Sequence, residues 1–186
     1  MFHPKTVEFE FDDFVGTREW SWREIARASG ATAHGAMQFE TIADASRWRR
    51  RSGTLSTSLV TSLIDVLRRH TTRPEHCYFA VWEGWGGLPE RITCGPMFTI
   101  PGRGYHLLTG PIEAAAEDVY DRGFGEIQTA SIWWPDDRAW CVATEIDLDA
   151  TFIGCSRECL DDLLADPAIE AFEIAADMPW GADPLN

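Results

Sequence analysis

Lysine is almost missing from this chain: Lys5 stands alone against fifteen arginines. That bias fits a GC-rich genome better than any particular chemistry. No apolar run approaches the roughly 18 residues that a membrane span requires. The opening MFHPKTVEFEFDD carries neither the basic region nor the apolar stretch of a secretory leader. These lacks lead us to expect a cytoplasmic protein with no membrane attachment. Cysteine is present without a framework, since Cys77, Cys94, Cys141, Cys155 and Cys159 are odd in number and irregularly spaced. Reduced, buried thiols are the expectation. Cys155 and Cys159 stand four apart on one predicted helix and so share a face, but no CxxC or histidine partner completes a metal site.

Catalytic signatures are lacking as well. His34, His70, His76 and His106 show no HExxH or other ligand spacing, and no GxSxG occurs. The glycine-rich stretch Trp82-Glu83-Gly84-Trp85-Gly86-Gly87 has no GK[ST] ending and does not open a helix. It reads as a tight turn that lets Trp85 lie over neighbouring backbone. We expect no cofactor and no metal, and whether the protein is an enzyme stays open.

What is there in quantity is aromatic and acidic. Nine tryptophans and ten phenylalanines can fill the core of a 186-residue chain, each burying about 150–250 Å². The net charge of −14 is unevenly spread: residues 134–186 hold 13 acids against 2 arginines, and residues 45–73 hold 7 arginines against one aspartate. An acidic whole disfavours nucleic acid as a ligand, because phosphates are repelled. The basic stretch suits an acidic partner, the chain's own acidic half, or that of a second copy.

Local patterning gives the elements. Val7, Phe9 and Phe11 alternate with Glu8 and Glu10, as on a half-buried strand. Ser21 and Glu24 have capping-box spacing for a helix to about Ser29, with Gly30 past its end. Residues 31–44 are ambiguous, with 37–40 as one strand option. Residues 47–53 read as a basic loop. Leu55, Leu59, Leu63 and Leu67 predict a helix to about His70, closed by Pro74. Cys77 to Trp82 reads as a buried central strand and Tyr105 to Gly110 as another, entered by a turn at 102–104. The run 113–120 suggests a short helix or an excursion. Ser131–Trp134, Trp140–Ile146 and Thr151–Ile153 read as neighbouring strands. Ser156 caps a helix with Cys159, Leu160, Leu163 and Leu164 as its buried face, stopped at Asp166-Pro167. Residues 169–174 suggest a final edge strand. The pattern predicts a single α+β domain over residues 1–186, its sheet mostly antiparallel with flanking helices.

The candidate binding residues are Trp133, Trp134, Asp136, Asp137, Arg138 and Trp140. Three readings compete for them. They form a strand-to-strand turn whose aspartates bond local backbone, with the tryptophans in the core. They form a recognition patch, since tryptophan and arginine carry interface energy. Or the two aspartates form an acid–base dyad, against which stands the opposite facing of adjacent strand residues. Glu145, Asp147 and Asp149, spaced by two, read either as the solvated side of an edge strand or as a cation site.

Several segments together resemble a known pattern: HCYFAVWEGWG, YHLLTGPI, SIWWPDDRAWCVATEIDLDATFIG, CLDDLLADPAIEAFEI and the earlier WREIARASGATAHGAMQF. They are similar to a family of GC-rich Gram-positive bacteria, a domain of unknown function, over most of the chain. Phe2-His3-Pro4 resembles an aromatic–His–Pro element of that family, and Cys155 departs from a Gly-Gly-Ser near 154–156. The resemblance implies no catalytic residues. The aromatic–glycine strand at 78–87, with the helix following the last strands, also resembles the SUKH superfamily of toxin-immunity proteins. We expect a protein-binding domain that docks a partner through an acidic, tryptophan-bearing surface. The alternative is a small-molecule-binding protein or small enzyme with a cleft lined by Trp, Asp and Arg. Self-association through the basic 47–51 loop is a third expectation.

Overall fold

The computed structural model describes residues 5–11, 14–35, 37–38, 42, 53–120, 127–144, 146–147 and 150–175, with the backbone alone for 5–11 and 14–19. The fold is α+β. Strands β1 (Lys5–Phe11) and β2 (Phe14–Trp20) form an antiparallel hairpin. The main sheet has six strands, β3 (Cys77–Trp82), β4 (Met97–Ile100), β5 (Arg103–Gly110), β6 (Ile132–Pro135), β7 (Trp140–Thr144) and β8 (Thr151–Cys155). All pairings are antiparallel, and the order is β4-β5-β3-β6-β7-β8. Among the described residues the α-helices are α1 (Trp22–Ala28), α2 (Thr57–Leu67), α3 (Glu90–Thr93) and α4 (Arg157–Ala165), with short 3-10 turns at Arg68–His70 and Ile112–Ala116.

Helix α2 lies along one face of the sheet. Its stripe of Leu59, Val60, Leu63, Ile64, Val66 and Leu67 is buried against Cys77, Phe79 and Val81 of β3, Trp133 of β6, and Trp140 and Val142 of β7. Ser56 caps it by accepting from Leu59 N, so Leu55 is buried just before the helix rather than inside it. At the far end the Trp140 indole donates to Leu67 O at 2.9 Å, which ties the C-terminus of α2 to the start of β7. Helix α4 joins the same layer through Cys159 and Leu163, capped by Ser156.

Several expectations need correction. Leu164 is exposed, so the buried face of α4 is narrower than its leucines imply. Cys155 ends β8 and is not helical. Cys94 and Cys141 are exposed, while Cys77 and Cys159 are buried. Residues 169–174 form no strand: Ile169 and Ala171 enter the main core, and Phe172 packs on the cluster around Trp22 and Ile25. Glu170 instead accepts from the amides of Trp22 (2.5 Å) and Arg23 (2.9 Å) at the start of α1. The capping box of Ser21 and Glu24 is formed, and Gly30 follows the helix with φ 71°. Strand β4, helix α3 and strand β2 had no counterpart in the sequence reading. Residues 39–40 and 47–51 lie outside the described residues.

Candidate functional site

Successive strand residues point to opposite faces, and this alternation splits the tryptophan block. Trp133 and Trp140 are on the helix-covered face, both buried, and meet edge to face with centroids 5.2 Å apart. They are the floor under α2 and cannot touch a partner. Trp134 is on the opposite face, half-buried, and stacks on Tyr78 of the neighbouring strand at 5.6 Å.

No described helix packs on that second face. Phe98 of the edge strand β4 stacks on Tyr105 at 5.6 Å and also meets Trp134 edge to face at 6.2 Å. Strands β5 and β3 lie between Phe98 and Trp134 in the sheet order, so the contact requires the sheet to twist and curl around this face. The result is an aromatic trough of Tyr78, Phe98 and Trp134, with Tyr105 buried against Phe98 at 3% exposure. It runs on to Ile100, which is 39% exposed at the sheet edge, whereas Met97, paired with His106, points to the opposite face.

The turn between β6 and β7 forms one lip of the trough. Arg138 N donates to Pro135 O at 2.9 Å and closes the turn. Arg138 has φ 55°, the one non-glycine residue with positive φ among the described residues. The two aspartates diverge, as adjacent residues should. Asp136 accepts from the Tyr78 hydroxyl at 3.0 Å and lies 3.6 Å from Arg73. That hydrogen bond raises the Tyr78 pKa, Asp136's charge and burial add to the rise, and Arg138 opposes it. Asp137 accepts from Thr72 N (2.7 Å), the Thr71 and Thr72 hydroxyls (2.8 Å each) and Ala139 N (3.2 Å). Burial pushes its carboxyl up, but these bonds outweigh that effect and hold it below the ordinary carboxylate value. Asp137 is therefore a fixed structural acceptor that ties the turn to the end of α2. Acid–base work by a pair of aspartates has no geometry here.

Beside Tyr78 lies a hollow of about 280 Å³ lined by Glu75, His76, Cys77, Tyr78, Thr109 and Gly110. A smaller cavity of about 180 Å³ opens on the other face, with Phe79, Val81, Leu108 and Ala130 inside and Arg91, Glu117 and Asp118 in its lining. Asp136 and Arg138 sit exposed at the turn, away from Trp133 and Trp140 on the helix-covered face, and His106 is buried on that face too. Asp147 pairs with Arg103 at 2.5 Å, and its companions Glu145 and Asp149 lie outside the described residues. His70 follows α2 as expected and meets Asp162 of α4 at 2.8 Å. Burial pushes the Cys77 thiol up to about 11 and the Cys159 thiol to about 12, so both are poor nucleophiles at neutral pH. No group of three or more His, Cys, Asp or Glu able to hold a metal occurs among the described residues, and no described helix is long and apolar enough to cross a membrane.

The hollow beside Tyr78 and the Phe98–Trp134 contact were missed from sequence, because both depend on strand order. Compared with known proteins, the chain matches no protein-family model, no curated protein and no solved structure.

Proposed function

We propose that this chain is a non-enzymatic docking domain of the cytoplasm that holds a basic protein partner in the aromatic trough. The observation that carries the reading is the Tyr78–Trp134–Phe98 cluster on a sheet face that no described helix covers. Half-buried aromatics of this kind supply large contact area with little side-chain entropy to lose, and apolar patches flanked by polar groups mark interaction surfaces. Trp134 is the anchor, Arg138 and Asp136 form the lip, and the hollow beside Tyr78 receives a projecting side chain. Trp133, Trp140 and Asp137 hold that surface in shape from behind. The net charge of −14 selects a basic partner by steering its approach. An immunity role of the SUKH kind is one form of this reading, with a toxin as the partner.

The small-molecule alternative rests on the 180 Å³ cavity under Arg91, Glu117 and Asp118, which is smaller than the roughly 300–1,000 Å³ of ordinary ligand pockets. The two readings part in a pull-down from lysate of the source organism. Wild type is compared with Trp134→Ala/Arg138→Ala, each first shown folded by near-UV circular dichroism. A stoichiometric protein kept by wild type and lost by the folded variant is the expected result. An empty pull-down, or equal capture by both, overturns the docking reading.

A further inference from the structure

The chain between β5 and β6 is held over the helix-covered face without filling the space beneath it. Ile112 N donates to Pro74 O at 2.8 Å and Val119 N to Gln128 O at 2.9 Å. Arg91 of α3 donates to Val119 O at 2.9 Å, and the Tyr120 hydroxyl donates to Gly86 O at 3.0 Å. Asp118 Oδ1 accepts from Gln128 N at 3.0 Å and from Tyr120 N at 3.3 Å. These bonds fix the height of the excursion above the sheet without help from any guest.

Under it lies the cavity of about 180 Å³. Val81, Phe79 and Leu108, the cross-strand partner of Phe79, form its apolar floor. Ala114 and Ala130 are in its wall, and their short side chains keep the space open. Protein interiors seldom keep voids larger than a water molecule. Size and lining then limit the guest. An apolar cavity of roughly 150 Å³ stays dry and holds benzene, so this one takes a single ring or a short branched alkyl group. Charge marks the open side: Arg91 and Glu117 are exposed and Asp118 half-buried, whereas Phe79 and Val81 are buried. Two carboxylates there face one guanidinium, and that guanidinium is engaged on Val119 O. The net charge of −14 adds to the same sign. A cation is favoured at this mouth and an anion repelled.

We propose that the cavity binds a small primary amine with a compact apolar body, its ring or alkyl group on Phe79, Val81 and Leu108 and its ammonium at Glu117 and Asp118. The site is on the opposite face of the sheet from the aromatic trough and stands or falls independently of docking there.

The test uses benzylamine as the probe, against benzyl alcohol and benzoate at neutral pH and equal ionic strength. Binding is read in methyl NMR spectra of the intact chain at Val81, Leu108 and Val119, with the exposed Leu164 of α4 as the distant control. The expected result is a saturable shift at those three residues while Leu164 stays still, with affinity falling from amine to alcohol to carboxylate. Glu117→Gln should weaken benzylamine about three- to fivefold, the range of an ion pair open to water, and leave the alcohol unchanged. Ala114→Leu, shown folded by near-UV circular dichroism, should abolish binding of both, and Ala130→Val takes its place where that variant does not fold. Trp134→Ala should bind benzylamine as wild type does. No saturable shift at Val81, Leu108 and Val119 overturns the site, as does full binding by a folded cavity-filling variant. Benzoate bound as tightly as benzylamine, or a Glu117→Gln affinity equal to wild type, overturns the ammonium assignment.

Discussion

Arg138 occupies a left-handed backbone position, φ 55°, that glycine would take without strain. Left-handed geometry costs a non-glycine residue about 1–2 kcal/mol, and such strain is characteristic of sites kept for a purpose other than stability. We therefore expect Arg138→Gly to raise stability by about 1 kcal/mol in urea unfolding, while weakening partner capture; a destabilised Arg138→Gly protein would refute the strain argument. Asp137 makes the opposite case. Its folded-state pKa is depressed by the bonds from Thr72, Thr71 and Ala139, which together outweigh burial. A depressed carboxylate stabilises the fold above its unfolded pKa, and that contribution disappears as pH falls through the folded value. Asp137→Asn should thus be less stable than wild type at neutral pH, with the gap closing in acid below about pH 4. Unfolding midpoints across a pH series give the answer, and a gap that stays constant would contradict it.

At the scale of elements, helix α2 and strand β3 are the foundation. Leu63 is fully buried between them, and Leu63→Ala should cost about 2–5 kcal/mol, measured as a shifted denaturant midpoint with an unchanged slope. Both elements were readable from the sequence, because a leucine every fourth position and an aromatic-rich apolar run bounded by proline and glycines leave little choice. Helix α4 was readable too, from Ser156 and Asp166-Pro167. Strand β4 was not: its four residues Met97-Phe98-Thr99-Ile100 sit between Pro96 and Pro101, and edge position leaves them exposed without the alternation that marks a half-buried strand. Residues 169–174 misled for the converse reason. Their apolar residues do have burial to reach, but in two different clusters, and Glu170 is occupied at the start of α1. Within the tryptophan block, alternation alone says that Trp133 and Trp134 face opposite ways. Which one faces α2 depends on strand pairing, and so the sequence marked the right segment while naming Trp133 and Trp140 alongside the one tryptophan of the three that reaches the trough.

Among the described residues helices α2 and α4 join the core on one face of the sheet, and the chain as a whole has an acidic surplus. A six-stranded sheet covered on one face normally turns polar residues to the other. Here that face carries Tyr78, Phe98, Tyr105 and Trp134, drawn together by curling. Long-range charge should govern how fast a basic partner arrives, and aromatic burial how long it stays. The measurement that bears most directly on this account places a photo-crosslinking amino acid at one site at a time in the intact chain. Position 134 reports the trough, position 98 its far side, and position 164 the exposed outer surface of α4. Adducts to the same partner from 134 and 98, with none from 164, are the predicted result. No adduct from 134 or 98, or equal labelling from all three, would contradict docking at the trough.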